Sequence, residues 1–291
     1  MAKPLVSVIT PVYNCAKYIC ETIRSVVFQN YENLEYIVID DASTDGFDIE
    51  GDEEFIVIKH SINQGEQRTV NDGLKLVKGK YFMIVNADDP LLPGAVSSLV
   101  EFMEANPDVL CAYPDYNVIG EDSKIRYRTI SRDYDFKWMV RHHTWLPSVG
   151  SIFRSSLIKD IGYRDTSFTW LGDADYWLRV GLAGRMAHVR GTLATWRKHA
   201  TQATNIKSRK RAMEHIRCME KFYSTPGLPQ ELIAVKNEAI CWSLLVASVV
   251  TDSRIDTIQY IGMAVFTYPK LIISLEFWDI LTKKVWYLLR R

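Results

Sequence analysis

The stretch YFMIVNADDP, residues 81–90, places two adjacent acids at the end of a predicted strand. The residues that open it are largely apolar and partly β-branched, which is typical of a strand buried in a sheet. Asp88 and Asp89 follow, although adjacent carboxylates repel each other and a partly desolvated carboxylate is costly without a partner. The stretch therefore predicts a core strand that carries acids to a binding site.

Strands and helices alternate on both sides of this stretch. The predicted strands cover residues 5–10, 34–40, 55–60, 81–85 and 108–114, and the predicted helices cover residues 14–29, 65–79 and 93–107. Asn14 is the expected N-cap of the first helix. Alternation with short connections predicts a parallel sheet covered by helices on both faces. Because ligands bind at the carboxyl ends of the strands in such sheets, residues 10–14, 39–43 and 86–89 should line one crevice.

The composition is that of an ordinary globular protein, with 47% hydrophobic and 24% charged residues in a chain of 291. Lys plus Arg equals Asp plus Glu at 35 each, so the chain lacks the surplus cations that bulk nucleic-acid binding requires. The five cysteines are scattered and contain no CxxC pair, which predicts reduced thiols and a cytoplasmic protein. The first apolar run is too short for a signal peptide.

Acids are paired or closely spaced at three places in the sequence. They are Asp40 with Asp41, Asp88 with Asp89, and Asp173 with Asp175. Such acids either cap helices and turns or hold a divalent cation together with substrate phosphates, and their convergence on one crevice favours the cation. No G-x-G-x-x-G follows the first strand, and neither a P-loop nor H-E-x-x-H occurs. His142 and His143 are interpreted as part of a surface or acceptor-side loop.

Four segments in order resemble the inverting family-2 glycosyltransferases with the GT-A fold. They are VSVITPVYNCAKYICETIRSVVFQNYENLEYIVIDDASTD (6–45), NQGEQRTVNDGLKLVKGKYFMIVNADDPLLPGA (63–95), GSIFRSSLIKDIGYRD (150–165) and GDADYWLRVGLAGRMAHV (172–189). The resemblance implies an α/β fold with a GT-A Rossmann-like, mostly parallel sheet flanked by helices. It also implies a nucleotide-sugar-binding half over residues 1–124, an acceptor-binding and catalytic-base half over 125–205, and a C-terminal helical extension over 206–291.

The resemblance assigns a nucleotide-sugar site as well. Pro11 and Tyr13 would flank the nucleotide base, and Asp41 would accept a hydrogen bond from a pyrimidine ring nitrogen. Asp40 would instead fix the turn that follows the second strand. Many relatives carry an arginine at the position of Val70 in this chain. Arg68, two residues earlier, is expected to take over the role of that arginine.

The metal motif of this family corresponds to Asp88 and Asp89. The resemblance implies that Asp88 contacts the sugar nucleotide, while Asp89 and His199 hold a Mg²⁺ or Mn²⁺ ion that bridges its diphosphate. Many relatives have an acid where Asn86 stands, so the acidic motif is shorter here. Arg197 either assists the diphosphate or faces solvent.

Asp173 corresponds to the catalytic base of the family. A carboxylate can take the proton of the acceptor hydroxyl as that oxygen attacks the anomeric carbon, and a single displacement inverts the anomeric configuration. Gly172 stands where relatives usually have a second acid, and Asp175 is expected to cap the following helix. The Q-x-x-R-W signature of processive synthases is missing, which favours single additions.

The resemblance implies transfer of a sugar from a nucleoside-diphosphate sugar, with UDP favoured, to a saccharide or lipid-linked saccharide acceptor. Surface polysaccharide synthesis is the expected setting. Two alternatives stay open: a sugar-nucleotide nucleotidyltransferase and a catalytically inactive sugar-nucleotide-binding scaffold. Release of a nucleoside diphosphate, turnover of a triphosphate, or neither would distinguish the three.

The last residues, 271–291, predict an amphipathic helix. On such a helix the acids and several bases fall in a narrow stripe, leaving a wide apolar face with Trp278, Trp286 and Tyr287. This face can lie in a membrane interface or pack against the catalytic domain or a second subunit. The sequence therefore leaves open a peripheral position on the inner face of the cell membrane and a homodimer.

Overall fold

The computed structural model describes residues 3–46, 48, 50, 51, 54–273 and 278. The strands are Val6–Val12 (β1), Leu34–Asp40 (β2), Ile56–Lys59 (β3), Tyr81–Ile84 (β4), Val109–Ile119 (β5), Ile125–Thr129 (β6), Ile152–Arg154 (β7) and Arg185–Arg197 (β8). The helices are Ala16–Val27 (α1), Glu66–Leu76 (α2), Ala95–Ala105 (α3), Phe136–Arg141 (α4), Leu157–Ile161 (α5), Gly172–Ala183 (α6), Arg209–Tyr223 (α7), Gln230–Ile233 (α8), Lys236–Val250 (α9) and Arg254–Thr267 (α10). Short 3₁₀ helices cover Ala203–Asn205 and Pro269–Ile273.

The chain divides into two compact units. The sheet unit comprises residues 1–134 and 146–200, and the helical unit comprises residues 135–145 and 201–291. All the strands named above belong to the sheet unit. The domain boundaries expected after residues 124 and 205 stay predictions.

The sheet has the order β3-β2-β1-β4-β7-β5-β6, and β8 pairs with β5. The β1 strand pairs in parallel with β2 and β4, β2 with β3, and β5 with β8. The short β7 runs antiparallel between β4 and β5, and β6 runs antiparallel to β5. The expected α/β fold with a mostly parallel sheet is therefore confirmed.

This topology brings the carboxyl ends of four strands to one edge of the sheet. In the parallel register Val12 of β1 lies opposite Asp40 of β2, and Ile9 lies opposite Ile84 of β4. Because β7 is antiparallel to both β4 and β5, β5 and β8 point the same way as β4. The segments that follow β1, β2, β4 and β8 consequently meet at this edge, as ligand-binding segments do in open α/β sheets.

Gly73 fixes how closely α2 approaches the sheet. A Cβ atom at this position would lie 2.5 Å from Cγ2 of Ile9 in β1, a contact that would force the two elements apart. Ile9 is itself completely buried, so the sheet has little room to yield. Glycine at position 73 thus sets the position of α2, whose first turn lies at the edge described above.

The start of α1 differs from the sequence prediction. The helix begins at Ala16, and Asn14 does not cap it because its backbone is in the left-handed region (φ 50°). The Asn14 side-chain oxygen instead accepts the backbone N–H of Thr44, and the Ala16 N–H donates to Asp45 at 2.7 Å. The loop after β2 therefore caps α1, which ties the ends of β1 and β2 together.

The helical unit has its own apolar core, formed mainly by α7, α9 and α10. Its buried members are Ala212, Cys241, Leu244, Leu245, Ala247, Tyr260 and Ala264. No helix in the described ranges is long and apolar enough to cross a membrane. The amphipathic helix predicted for residues 271–291 lies largely outside the described residues.

A buried histidine pair lies in this helical unit. Nε2 of His143 is 2.9 Å from Nδ1 of His215, and both side chains are buried. Burial lowers the pKa of His143 well below its ordinary value, and the neighbouring His215 adds to this effect. Burial, followed by the charge of Arg211, lowers the pKa of His215 to about 3. The prediction of a surface position is therefore wrong for His143.

Because of this pair, we expect the free energy of unfolding to decrease as the pH is lowered below about 6.5. Both pKa values are lower in the folded than in the unfolded chain, so the unfolded chain binds more protons as pH falls. Their contribution to stability is complete above the pKa that histidine has in the unfolded chain. Below that pKa it declines by up to about 1.4 kcal/mol for each histidine and each pH unit. Urea unfolding between pH 5 and pH 8 (about the range in which unfolded histidine titrates) should show this slope.

His215→Asn should flatten the pH dependence of the urea midpoint. Ser243→Ala is the matched control, because Ser243 is buried in the same unit but does not titrate. The control should lower stability by a similar amount at every pH. A slope that is the same in wild type and His215→Asn would contradict the assignment.

Candidate active site

Asp89 anchors the turn that follows β4. Its Oδ1 accepts the backbone N–H of Arg197 at 2.8 Å, and its Oδ2 accepts a hydrogen bond from Asn86 at 2.9 Å. Only 4% of Asp89 is exposed. Burial, with the neighbouring charge of Asp88, raises its pKa well above the ordinary value. Both oxygens of Asp89 thus accept hydrogen bonds from the protein, and the metal-ligand role expected for this residue stays a prediction.

Arg197 holds the same turn from inside the protein. Its side chain is 0% exposed, its Nε donates to the carbonyl oxygen of Asp88 at 2.9 Å, and its guanidinium pairs with Glu21 at 2.8 Å. It also lies 4.7 Å from the ring centre of Tyr18. Neither of the alternatives drawn from the sequence, a diphosphate contact or a solvent-facing position, describes this buried arginine.

Asp88 presents the accessible carboxylate of the turn. Its side chain is partly exposed, and its Oδ2 lies 2.9 Å from Nε2 of His199, which follows β8. The ring of His199 also lies against Tyr18, with 4.9 Å between ring centres. Strand ends that are far apart in the sequence thus place a carboxylate oxygen and an imidazole nitrogen side by side.

These two donors fit a divalent cation only in part. No group of three His, Cys, Asp or Glu side chains placed to hold a metal ion occurs among the described residues. A Mg²⁺-type site does not require one, since such ions are commonly bound by one or two carboxylates together with substrate phosphates. Asp88 and His199 can therefore supply the protein's share of a site that a diphosphate completes.

Asp41 lies at the end of β2 and organises the loop that leads into α2. Its Oδ1 accepts hydrogen bonds from the backbone N–H of Gln64 at 2.8 Å and lies 2.8 Å from Nδ1 of His60. Its Oδ2 accepts the N–H of Gly65 at 2.8 Å, and only 2% of the residue is exposed. A carboxylate has about four acceptor positions, so one on Oδ2 is left for a ligand.

The other residues predicted for the nucleotide lie at or near the same edge. Pro11 is half-buried on β1 opposite Ile39, and Tyr13, just past the strand, is exposed. Arg68 is exposed on the first turn of α2. Asp40 accepts the backbone N–H of Ser43 at 3.0 Å, an arrangement that fits the turn-fixing role expected for it.

Asp173 lies in the first turn of α6, close to an acid that the sequence analysis missed. That acid is Glu66, the first residue of α2, which pairs with Arg164 at 3.3 Å. Although 47% of the Glu66 side chain is exposed, the surrounding protein raises its pKa, Arg164 opposes this effect, and the charges of Asp173 and Asp88 raise it further. The charges of Asp88 and Asp173 thus both reach Glu66, although the three acids come from three different segments of the chain.

The close approach of Gln67 explains why position 172 is a glycine in this chain. A Cβ atom there would lie 2.2 Å from Oε1 of Gln67, and this same oxygen accepts a hydrogen bond from Arg164 at 3.2 Å. The Gln67 side chain therefore occupies the space that a larger residue at position 172 would need. Glu66, beside Gln67, supplies a carboxylate near Asp173 although Gly172 cannot.

Cys15 shows that the segment after β1 also reaches this crevice. Burial raises the pKa of its thiol to about 12, with further contributions from the carboxylates of Asp88, Asp45 and Asp89. The thiol is therefore protonated near neutral pH and is a poor nucleophile. We call the group formed by Cys15, Glu66, Asp88, Asp173 and His199 the acidic crevice.

Comparison with known proteins identifies a matching family model and similar sequences. The model of the family described as "Glycosyl transferase family 2" matches residues 7–162, just over half of the chain. An uncharacterized glycosyltransferase of Rickettsia prowazekii (strain Madrid E) is 31% identical over 69% of this chain and 66% of its own length. The Escherichia coli protein named UDP-Glc:alpha-D-GlcNAc-diphosphoundecaprenol beta-1,3-glucosyltransferase WfaP is 28% identical over 65% of this chain and 74% of its own.

The fold is also found in a solved structure. The mannosyltransferase PcManGT from Pyrobaculum calidifontis, in complex with GDP-Man and Mn²⁺, superposes with a TM-score of 0.64. The match covers 99% of this chain and 81% of that one, at 18% sequence identity. At this identity the likeness concerns the fold.

Proposed function

This chain belongs to glycosyl transferase family 2, and we propose that it transfers a sugar, with inversion, from a UDP-sugar to a lipid-linked saccharide. The observation that supports this most strongly is the partly exposed carboxylate of Asp88, whose Oδ2 lies 2.9 Å from Nε2 of His199 at the ends of two strands. A displacement reaction at a sugar needs one group to hold the cation that neutralises the leaving diphosphate and another to deprotonate the acceptor. Asp88 and Asp173 are suited to these two tasks.

The donor's base would lie at the ends of β1 and β2. The exposed ring of Tyr13 and the half-buried Pro11 offer apolar surfaces to it. The acceptor position left on Asp41 matches a ring N–H of uracil, and Arg68 offers a cation to the diphosphate. The preference for UDP is supported by the donor in the name of the Escherichia coli relative.

Asp88 and His199 would hold a Mg²⁺ or Mn²⁺ ion together with the diphosphate. When bound, such an ion neutralises the negative charge that develops on the departing nucleoside diphosphate. The Mn²⁺ present with the neighbouring mannosyltransferase supports this assignment, as does the partial exposure of Asp88. Asp89 would support the turn through Arg197 and Asn86, in place of the ligand role first expected for it.

Asp173 would act as the general base. Its carboxylate takes the proton of the acceptor hydroxyl while that oxygen bonds to the anomeric carbon, and the bond from this carbon to the diphosphate oxygen breaks. Attack from the side opposite the leaving group inverts the configuration. Glu66, held by Arg164, would keep the neighbourhood of Asp173 negative and so favour proton uptake by the base.

A screen of sugar nucleotides tests the proposal. The full chain would be incubated with UDP-, GDP- and dTDP-sugars, Mg²⁺ or Mn²⁺, and saccharides linked to diphosphoundecaprenol. We expect acceptor-dependent release of UDP that stops after chelation, and a product with the inverted anomeric configuration by NMR. Glu101→Gln, an exposed acid on α3, is the matched control and should leave the rate unchanged.

Two outcomes would overturn the proposal. Formation or consumption of a nucleoside triphosphate would identify a nucleotidyltransferase. Binding of UDP-sugars without any turnover on the whole acceptor panel would identify a binding scaffold.

A further inference from the structure

The outward side of α10 is mostly apolar. The inward side, which includes Tyr260 and Ala264, packs against the core of the helical unit. The exposed residues on the opposite side are Ile255, Ile258, Gln259, Gly262, Met263 and Phe266. Phe266 is 88% exposed and Ile255 is 78% exposed, so these large apolar side chains are almost fully in contact with water.

The apolar surface continues beyond the end of α10. Ile272 and Ile273, in the 3₁₀ helix Pro269–Ile273, are both exposed. The indole N–H of Trp278 donates to the carbonyl oxygen of Ile272 at 2.6 Å, which places an aromatic ring beside them. We call this surface, from Ile255 to Phe266 on α10 together with Ile272 and Ile273, the α10 face.

The exposed charges on these two elements are cationic. Arg254 stands exposed at the start of α10 and Lys270 stands exposed after its end. Asp256 is buried, and it faces Arg209, the first residue of α7, at a distance of 3.4 Å. An exposed acid, Asp252, lies in the preceding loop. An apolar stripe with basic ends is the pattern of a helix that rests on an anionic bilayer.

Charge also argues against a second copy of this chain as the occupant. A two-fold contact between antiparallel α10 helices would place Arg254 of one copy beside Lys270 of the other. Neither α10 nor the 3₁₀ helix carries an exposed acid that could separate these cations. Like charges facing each other across an interface are costly, whereas phosphate headgroups would satisfy both ends.

We propose that the α10 face docks on a membrane surface that contains anionic phospholipid. Isoleucine and phenylalanine side chains enter the boundary between headgroups and acyl chains, while Arg254 and Lys270 pair with lipid phosphates. The helix lies in the plane of the interface and does not cross it. The inference concerns attachment, and it does not depend on the proposed sugar transfer.

Vesicle sedimentation of the full chain tests this inference. Vesicles of phosphatidylcholine with about one quarter phosphatidylglycerol should bind the protein, and pure phosphatidylcholine should bind it at least about tenfold less. The variant Ile258→Glu/Phe266→Glu should reduce binding to the anionic vesicles by at least about tenfold, since each change removes a large apolar side chain from the interface. Ile130→Glu, which changes an equally exposed apolar residue of the sheet unit, should bind as wild type does.

Two further measurements keep the test decisive. Circular dichroism should show that both glutamate variants are folded, since exposed substitutions rarely cost more than about 0.5 kcal/mol. Light scattering should give the same molar mass for wild type and Ile258→Glu/Phe266→Glu. Unchanged vesicle binding by this variant, or a dimer that only this variant breaks, would overturn the proposal. UDP release with a detergent-solubilised acceptor reports on sugar transfer separately.

Discussion

Asp173→Asn should reduce the rate of sugar transfer by about 1,000-fold or more while leaving donor affinity within about twofold. The amide has nearly the shape of the carboxylate but cannot take up the proton of the acceptor hydroxyl. Because the change leaves Asp88 and His199 intact, the donor and its cation should bind as before. Steady-state transfer kinetics and calorimetric titration with the UDP-sugar would measure the two effects separately.

Asp175→Asn provides the matched control for this experiment. Asp175 lies on the same helix, is buried, and pairs with Arg179 at 3.0 Å. Its substitution should therefore lower stability, because it weakens a buried ion pair, while each folded molecule retains its turnover. Transfer by Asp173→Asn at a rate near that of wild type would show that the base lies elsewhere.

Asp88→Asn should weaken metal-dependent binding of UDP by at least about a hundredfold. Loss of even an indirect partner of a metal ligand costs about 10- to 100-fold in affinity, and Asp88 is proposed as a direct ligand. His199→Asn should weaken binding less, because an imidazole contributes no negative charge. Calorimetric titration of UDP in the presence of Mn²⁺ and of a chelator would measure the metal-dependent part for each variant.

Asp89→Asn is the informative comparison for Asp88→Asn. Both oxygens of Asp89 accept hydrogen bonds from protein N–H groups, so an amide there would place donor against donor. We expect a loss of about 1–3 kcal/mol in folding stability and metal-dependent UDP binding close to wild type in the protein that remains folded. The reverse result, with Asp89→Asn losing the metal and Asp88→Asn keeping it, would restore the role that the sequence first suggested for Asp89.

The sequence was sufficient to predict five of the eight strands and the edge at which the candidate site lies, but not β6, β7 or β8. Buried strands such as Leu34–Asp40 have local apolar patterns, and alternation with helices restricts their connections to a parallel arrangement. Residues that directly follow such strands, including Asp41 and Asp88, must then lie at one edge. Local pattern and simple topology rules therefore account for this part of the prediction.

The different surroundings of the two acids in the turn after β4 could not be read from the sequence. Asp88 and Asp89 are chemically identical neighbours, and only contacts from distant residues distinguish them. Arg197 lies more than a hundred residues later in the chain, yet its backbone and side chain select Asp89 for the interior and leave Asp88 accessible. Arg197 is followed by Lys198 and His199, and nothing in this local sequence indicates that the arginine is completely buried.

Glu66 and His143 illustrate the same limit. An acid in the first turn of a helix is expected to interact favourably with the helix dipole. The local sequence therefore gives no reason to associate Glu66 with Asp173. His143 is buried and contacts His215 of α7, and no periodic pattern surrounds it in the short segment after α4. Both residues could be found only once the tertiary contacts were known.

A crystal structure of the protein with Mn²⁺ and a non-hydrolysable UDP-sugar would test the acidic crevice most directly. We expect anomalous scattering from one manganese ion bound by Asp88, His199 and the diphosphate, with the anomeric carbon open toward Asp173. A manganese ion bound away from Asp88, or a sugar whose anomeric carbon is out of reach of Asp173, would contradict the proposed mechanism.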